Sequence, residues 1–197
     1  YLTFTIFLSY SLGSISFGVL ITKYMNLGNL KTIGSGNIGA TNVLRTGNKS
    51  AAALTLILDG GKGYLAISLA TYFFEQTYLS VAGISVFLGH VFPAYHKFKG
   101  GKGVATFFGI VLAINSLLGL MTCLTWLLIA LVSKRSSIAA LLSSATLVLF
   151  LLISDYEGSF WLILFLTTLI WWLHKDNIKR ILSKSEPVID TKDNTPK

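Results

Sequence analysis

Two polar, glycine-rich segments that carry lysine or arginine lie inside a chain that is otherwise strongly apolar. The first is GSGNIGATN at 34–42, which continues through Arg45 to Lys49, and the second runs from GHVFP at 89–93 to KGGKG at 99–103. Glycines let a backbone approach a ligand closely, and bare N–H groups with a few cations suit phosphate binding. Such segments at the edge of a bilayer indicate a protein that handles a phosphorylated lipid or its precursor.

Neither segment matches a nucleotide-binding motif of soluble proteins. The run 34–39 fits G-x-G-x-x-G, and Asp59 follows at a suitable distance, but no strand pattern precedes the run and apolar stretches flank it. Gly-Gly-Lys-Gly occurs at 60–63 and at 100–103, and neither copy has the spacing or the Ser or Thr of a P-loop. What remains is a less specific anion site made of backbone amides and cations.

The composition is that of an integral membrane protein. Of 197 residues 53% are hydrophobic and 12% are charged, with a mean hydropathy of +0.68, whereas soluble chains carry about 25% charged residues. The formal net charge of +8 is explained by the enrichment of cytoplasmic loops in Lys and Arg, and no nucleic-acid partner is predicted. The first apolar run lacks the flanks of a signal peptide and is predicted to be a membrane helix.

Six apolar runs are candidate membrane segments, since crossing the hydrocarbon takes about 20 helical residues. They lie at 1–22, 51–74, 78–95, 104–133, 137–153 and 159–173. The run 104–133 fits either one tilted helix or a hairpin of two short helices that turns at Asn115-Ser116.

Charge placement favours the hairpin. With a turn at Asn115-Ser116, the lysines and arginines outside the helices fall on one side, and Lys62 alone remains within a helix. The opposite side receives Glu75, Asp155 and Glu157. The positive-inside rule then predicts an all-α integral membrane protein with seven transmembrane helices, several short or tilted, with the N-terminus outside and the C-terminus cytoplasmic.

The chain divides into two parts by composition. Residues 1–184 are predicted to form a single membrane domain. The segment 185–197 is polar, contains Pro187 and Pro196, and is expected to be a disordered cytoplasmic tail.

Two cations in the glycine-rich segments are candidates for binding an anion. Arg45 can grip a phosphate or a carboxylate with two parallel hydrogen bonds, beside the short polar side chains of Ser35, Thr41 and Asn42. Lys102 lies between Gly101 and Gly103 directly before an apolar helix, where free N–H groups and the helix dipole favour anions. The alternative for both is a topology charge in a solvated loop.

An ion pair is predicted within one span. Lys62 inside a membrane helix costs about 2.5–3.5 kcal/mol on insertion scales, and Asp59, three residues earlier, lies on the same helical face and can neutralise it. We interpret this pair as structural support for the polar site.

The three histidines, His90, His96 and His174, lack the spacing and the neighbours of metal ligands, so neither a metal nor a cofactor is predicted. His174 and Asn177 share a helical face where the last span meets the loops. Ser137 lies at the same predicted depth, and its alternative role is capping of its helix.

Several catalytic signatures are missing from the sequence. No His-x-x-x-x-Asp follows any histidine, so the signature of acyltransferases that use acyl-CoA or acyl-carrier protein is absent. There is no Gly-x-Ser-x-Gly elbow, and no acidic pair suited to a two-metal phosphatase. Cys123 lies in an apolar run, where a thiol is a poor nucleophile.

The chain resembles the bacterial membrane family of acyl-phosphate:glycerol-3-phosphate acyltransferases over nearly its whole length. Three blocks carry the resemblance: GSGNIGATNVLRTGNK at 34–49, Asp59-x-x-Lys62-Gly63, and GHVFPAYHKFKGGKGVAT at 89–106. The family implies transfer of a fatty acyl group from acyl-phosphate to the sn-1 hydroxyl of glycerol-3-phosphate, which gives lysophosphatidic acid and phosphate. This is the first step of bacterial phospholipid synthesis, at the cytoplasmic face of the inner membrane.

The resemblance also implies roles for individual residues. Ser35 and Arg45 would hold a substrate phosphate, and Lys102 would neutralise the acyl-phosphate. Further residues would line the substrate site or complete its glycerol-3-phosphate pocket: Gly39, Ala40, Thr41, Asn42, His90, Gly101, Gly103, Ser137, His174 and Asn177. Membrane lipid is the expected surrounding, and no obligate protein partner is inferred.

Acyl-phosphate is an activated mixed anhydride, so positioning and charge stabilisation suffice for catalysis. The sequence favours direct attack by the glycerol hydroxyl without an acyl-enzyme. The base is either His174 or a substrate phosphate oxygen, and the substrate oxygen is favoured because the sequence shows no carboxylate–His pair to orient the imidazole. Two other classes fit parts of the pattern. A transporter for a phosphorylated solute would use the glycine breaks, and a non-catalytic membrane subunit would need neither Arg45 nor Lys102.

Overall fold

The computed structural model describes residues 1–74, 76–153 and 158–189, and within these ranges the chain is helical without β-strands. Ten α-helices and two short 3-10 helices, Leu30–Thr32 and Ala94–His96, are described in this part of the chain. The α-helices are α1 (Leu2–Ser14), α2 (Phe17–Tyr24), α3 (Ala40–Leu44), α4 (Lys49–Phe74), α5 (Leu79–Val91), α6 (Val104–Ile114), α7 (Ser116–Ser133), α8 (Ser136–Ile153), α9 (Phe160–Leu173) and α10 (Lys175–Leu182). Some charges and one proline used in the sequence argument lie outside the described residues: Glu75, Asp155, Glu157, Lys192, Pro196 and Lys197.

The apolar runs of the sequence correspond to the long helices. Five helical stretches are long and apolar enough to cross a membrane, and α6 and α9 are shorter apolar helices. The five are Leu2–Tyr24, Lys49–Phe74, Leu79–His96, Ser116–Ser133 and Ser136–Ile153. The all-α class is confirmed, whereas the number of membrane crossings and their orientation stay predictions.

The helix break expected within 104–133 is present. Helix α6 ends at Ile114, Asn115 is extended, and α7 begins at Ser116. The Asn115 side chain accepts a hydrogen bond from the Leu118 amide at 3.1 Å, which caps α7. The two helices pack against each other as a hairpin.

The first apolar run differs from the single helix that we expected. It is broken at Ile15, whose backbone is extended, so α1 and α2 are separate helices. The Ile15 carbonyl, released from the helical ladder, accepts a hydrogen bond from Lys62 Nζ at 2.7 Å. A polar partner from α4 therefore satisfies the break, as buried backbone groups require.

Glycines bring two helix pairs into close contact. A Cβ at Gly109 of α6 would overlap the Gly60 carbonyl of α4, and a Cβ at Gly63 would overlap the Thr106 carbonyl. Thr106 Oγ1 also donates to the Asp59 carbonyl at 3.0 Å. Small residues allow such close backbone approach. In a membrane the hydrophobic effect does not drive helices together, because the lipid tails are apolar too, so van der Waals packing of this kind stabilises the helix pair. Helices α1 and α5 approach in the same way through Gly13 and Gly89.

Four connecting segments meet at one end of the bundle: 25–48, 92–103, 134–135 and 174–189. Hydrogen bonds join the segments to one another. They are Arg45 Nη2 to the Val188 carbonyl, Lys102 Nζ to Asn177 Oδ1, Arg135 Nε to the Glu186 carbonyl and the Ile189 amide to the Lys134 carbonyl. The basic loops of the sequence therefore share one end of the fold.

Candidate active site

The first glycine-rich loop is organised around the buried Asn42 side chain. Its Oδ1 accepts from the Ser35 amide at 3.1 Å and from Arg45 Nη1 at 3.2 Å, and its Nδ2 donates to the Leu30 carbonyl at 2.9 Å. Ser35 Oγ lies 3.4 Å from the same Oδ1. Asn42, expected at the ligand surface, thus uses its amide within the loop and places Ser35 beside Arg45.

The predicted backbone donors Gly39, Ala40 and Thr41 lie at the start of the short helix α3. Gly39 precedes the helix in an extended conformation, and its carbonyl accepts from the Asn42 and Val43 amides. These residues therefore lie next to Asn42 at the start of α3.

The second glycine-rich loop is folded against the end of α5. The Gly100 amide donates to the Val91 carbonyl at 3.0 Å, and the Gly101 amide donates to the His90 carbonyl at 3.2 Å. At Gly101 a Cβ would collide with the His90 ring. Gly103 has φ of 79° and packs on Phe87, so it too has no room for a side chain. The loop thereby delivers Lys102 to the start of α6.

Lys102 points into a cluster formed by the ends of α8 and α9 and by α10. Its Nζ donates to Asn177 Oδ1. Asn177 Nδ2 and Ser137 Oγ each donate to Glu186 Oε1 at 2.6 Å. Lys102, Ser137 and Asn177, which the sequence placed on three distant segments, are therefore joined through a carboxylate that we did not predict.

The electrostatics of Lys102 follow from its surroundings. Burial lowers the pKa of its ammonium to about 8, the Glu186 and Asp176 carboxylates oppose this shift, and the Arg180 and Arg45 guanidinium groups add to it. Arg45 is thus close enough to act on Lys102 although the two belong to different loops. An added anion would relieve the repulsion between these cations.

His174 is buried at the junction of α9 and α10. Its Nδ1 lies 2.7 Å from the Ile170 carbonyl, and since a carbonyl only accepts, Nδ1 carries the proton and Nε2 is the unprotonated nitrogen. Burial, followed by the charge of Lys102, lowers the pKa of His174 to about 4. The imidazole is therefore neutral near pH 7 and is a weak base.

Asp59 and Lys62 form the ion pair expected within α4. Lys62 Nζ lies 2.8 Å from Asp59 Oδ1, and the two side chains are 1% and 3% exposed. His90 Nδ1 lies 3.6 Å from the same carboxylate oxygen, and Gly101 packs on the other ring nitrogen. His90, which we expected among the substrate-binding residues, thus lies behind the second loop and beside the ion pair.

The start of the C-terminal tail differs from the expected disorder. Residues 185–189 lie against the cluster, and the Glu186 side chain is only 5% exposed. Its carboxylate gathers three donors, of which Arg180 Nε is at 2.8 Å, and these bonds outweigh burial and lower the pKa of Glu186. In the sequence, an acidic residue that closely follows the basic helix α10 was the feature that could have predicted this contact. Residues 190–197 lie outside the described part of the chain.

A cavity of about 610 Å³ opens beside the first loop. Its wall includes the basic side chains of Lys23, Lys31 and Lys99, together with His96. Positive charge around a cavity raises the local concentration of anions. Apolar helices that gather cations and neutral hydrogen-bond donors at one end define a membrane protein, and that end is its candidate anion site.

The comparisons with known proteins assign this architecture to a family. The sequence profile of the glycerol-3-phosphate acyltransferase family matches residues 3–184, and the chain belongs to that family. A glycerol-3-phosphate acyltransferase of Roseobacter denitrificans is 49% identical over 185 residues, which cover 94% of this chain and 92% of the relative. One of Dinoroseobacter shibae is 51% identical over 184 residues, covering 93% and 91%.

The solved structures agree with this assignment. PlsY (YgiH), an integral membrane glycerol 3-phosphate acyltransferase, matches in its glycerol 3-phosphate form with a TM-score of 0.90 and 35% identity, over 96% of both chains. Its lysophosphatidic acid form matches with a TM-score of 0.86 and 34% identity, also over 96% of both chains. The present chain is therefore an integral membrane acyltransferase of this fold.

Proposed function

We propose that this chain transfers a fatty acyl group from acyl-phosphate to the sn-1 hydroxyl of glycerol-3-phosphate, giving lysophosphatidic acid and phosphate. The observation that carries the proposal is the convergence of Arg45 and Lys102 with the donors of Ser137 and Asn177 at one end of the bundle. The two crystallised forms of PlsY support the acceptor and the product.

The choice of acyl-phosphate follows from which groups the site offers. In the described residues no serine, threonine or cysteine hydrogen-bonds to a histidine, so an activated nucleophile of the usual kind is not formed there. A donor with a good leaving group needs positioning and charge neutralisation instead. Cations beside backbone amides provide both for a phosphate.

We assign roles to the two halves of the site. Ser35 and Arg45, placed by Asn42, hold a substrate phosphate, with Gly39, Ala40 and Thr41 beside them. Lys102, presented by Gly101 and Gly103, neutralises the acyl-phosphate. Ser137, His174 and Asn177 border the glycerol-3-phosphate. Asp59, Lys62 and His90 support the loops from within the membrane.

The reaction is a direct displacement at the acyl carbon. The sn-1 oxygen of glycerol-3-phosphate forms a bond to the carbonyl carbon, and the bond from that carbon to the phosphate oxygen breaks. The electron pair of the broken bond leaves with phosphate. The hydroxyl proton ends on a phosphate oxygen, so the products are an ester and hydrogen phosphate.

A substrate phosphate is the better candidate for the base. The pKa of His174 is about 4, because of burial and of the neighbouring Lys102, so its unprotonated Nε2 takes up a proton poorly at neutral pH. A phosphate oxygen, whose second pKa is about 6, is a stronger base. In this assignment His174 shapes the pocket through its bond to Ile170.

We place the reaction at the cytoplasmic face of the bacterial inner membrane, in a membrane domain of residues 1–184 against which residues 185–189 pack, without an obligate protein partner. The basic loops gather at the end that carries the site, which supports a cytoplasmic site under the positive-inside rule. The basic cavity beside the first loop would then admit glycerol-3-phosphate from the cytoplasm.

The test uses the purified full chain in lipid with labelled glycerol-3-phosphate and either palmitoyl-phosphate or palmitoyl-CoA. We expect labelled lysophosphatidic acid and free phosphate with palmitoyl-phosphate alone. Product with palmitoyl-CoA alone would overturn the donor assignment. No product with either donor, from protein shown to be folded, would overturn the acyl transfer itself. Acyl-protein trapped with palmitoyl-phosphate in the absence of acceptor would contradict direct displacement.

A further inference from the structure

Glu186 has a larger role in the site than a surface residue of a tail would have. Its side chain is 5% exposed and accepts three hydrogen bonds. The donors are Ser137 Oγ on α8, Asn177 Nδ2 on α10 and Arg180 Nε on α10. One carboxylate therefore connects two helices around the residue that Lys102 contacts.

The carboxylate fixes the direction of the Asn177 amide. A carboxylate only accepts hydrogen bonds and an ammonium only donates them. With Glu186 accepting from Nδ2, Asn177 must present Oδ1 to Lys102, as the structure has it. Without the carboxylate, the amide could rotate and turn its NH₂ group toward the ammonium. Glu186 thereby determines which group Lys102 meets.

A buried carboxylate among cations could instead occupy the place of a substrate phosphate and leave when substrate binds. The anchoring of residues 185–189 argues against that alternative. Backbone atoms on both sides of the Glu186 side chain are held. The bonds are Ser185 N to the Arg180 carbonyl at 2.8 Å, Arg135 Nε to the Glu186 carbonyl at 3.0 Å, Arg45 Nη2 to the Val188 carbonyl at 3.3 Å and Ile189 N to the Lys134 carbonyl at 2.7 Å.

We propose that Glu186 is a positioning residue for acyl transfer, which orients Asn177 and Ser137 and through Asn177 holds the Lys102 ammonium toward the phosphate of the acyl donor. The proposal rests on the proposed function for its chemical role, and on the described contacts for the position of Lys102. It adds the segment 185–189 to the site.

The charge of Glu186 gives the proposal a specific signature. The charged groups that act on Lys102 are Glu186 of the tail, Asp176 and Arg180 of α10, and Arg45 of the first loop. His174, the remaining neighbour, is neutral at the pH of the assay. The negative charge of Glu186 stabilises the protonated form of Lys102. Removing that charge from Glu186 therefore lowers the pKa of Lys102 below about 8.

The experiment compares wild type with Glu186→Gln in the full chain in lipid. Lysophosphatidic acid formation from palmitoyl-phosphate is measured from pH 6 to 9. We expect kcat to fall by about tenfold or more, with a smaller change in KM, and the alkaline limb of the rate profile to move down by about one pH unit. The matched control is Asp176→Asn, which removes the same charge from a side chain that is 66% exposed. Its alkaline limb should stay within about 0.3 pH unit of wild type.

Two further variants separate orientation from charge. Glu186→Asp keeps the charge, so its alkaline limb should stay at the wild-type pH while the rate falls because the shorter side chain reaches fewer donors. Glu186→Gln combined with Asn177→Ala should be no slower than the slower single variant, because the two residues act as one unit.

A second measurement does not depend on turnover. Competitive acetylation of Lys102 with trace acetic anhydride, followed by mass spectrometry across pH, reports the pKa of its amine directly. A lower midpoint in Glu186→Gln supports the placement of Lys102 even if no donor gives product, in which case the proposed function alone fails. Unchanged midpoints with a uniform loss of rate would overturn the proposal. A lower KM for glycerol-3-phosphate at unchanged kcat would do so as well, since it would make Glu186 a competitor of the substrate.

Discussion

Replacing Lys62 by Met is expected to destabilise the protein by about 3–5 kcal/mol, the typical result of removing one partner from a buried ion pair. Lys62 Nζ contacts Asp59 Oδ1 at 2.8 Å and the Ile15 carbonyl at 2.7 Å, and its side chain is 1% exposed. In the variant, the Asp59 carboxylate stays buried without its cation. The Ile15 carbonyl loses its donor, which alone costs about 1–3 kcal/mol.

The double variant Asp59→Asn with Lys62→Met isolates the charge. It removes both ions, so mainly the unpaired Ile15 carbonyl remains, and we expect a loss of about 1–3 kcal/mol. The double variant should therefore be more stable than Lys62→Met. It should also be much more stable than the sum of the two single changes predicts, with a coupling of about 2 kcal/mol or more.

Unfolding in mixed micelles by increasing SDS, followed by tryptophan fluorescence, measures these free energies, and the chain provides four tryptophans as probes. Acyl transfer per folded molecule is measured on the same samples. A double variant as unstable as the sum of the singles would refute the ion-pair reasoning. A stable double variant without turnover would show that Asp59 or Lys62 takes part in the chemistry rather than in support of the site.

The remaining predictions concern packing and protonation. Gly63→Ala should destabilise by about 1–3 kcal/mol in the same SDS titration, since its Cβ would overlap the Thr106 carbonyl. Gly61→Ala meets nothing within 4 Å and should be neutral or stabilising by up to about 1 kcal/mol. Wild-type turnover should decline above about pH 8 as Lys102 loses its proton. The variant Lys102→Met should lose about 100-fold or more in kcat/KM for acyl-phosphate, and its pH–rate profile should lack the decline above about pH 8. His174→Gln should keep its rate within about threefold, because a general base would contribute about 100-fold or more. The pKa of His174 is about 4 in the folded protein and 6.5 in the unfolded chain, so the unfolded chain takes up the proton first. The free energy of unfolding should therefore fall as the pH drops from 6.5 to 4, by up to about 1.4 kcal/mol per pH unit. The variant His174→Gln should show a smaller dependence of this free energy on pH.

Much of the fold could be predicted because membrane helices appear in the sequence as long runs of apolar residues. The apolar runs located the long helices, and the break at Asn115 followed from charge placement and was confirmed by its cap. The break at Ile15 could not be predicted, since no proline or charge marks it. It depends on Lys62, a partner 47 residues away in the sequence.

The sequence predicted most of the residues of the candidate site but few of the contacts between them. Lys102, Ser137 and Asn177 do converge, as the resemblance implied. Asn42 and His90 make contacts within the scaffold that the sequence did not predict. Glu186 was missed because its partner Ser137 is 49 residues away, and no local pattern encodes such a contact.

The shortness of α6 and α9 has a consequence for the surrounding bilayer. They contain 11 and 14 residues, so at a rise of 1.5 Å each they extend only about 17 and 21 Å, against a hydrocarbon thickness of about 30 Å. No residue of α6 is exposed, whereas α9 has an exposed face; if α9 crosses the bilayer, the lipids next to it thin or water enters from one side. Because Lys102 precedes α6 and His174 follows α9, the proposed site lies at the ends of these two short helices. An amphiphilic donor could then present its carbonyl to the protein while its hydrocarbon tail stays in its own leaflet.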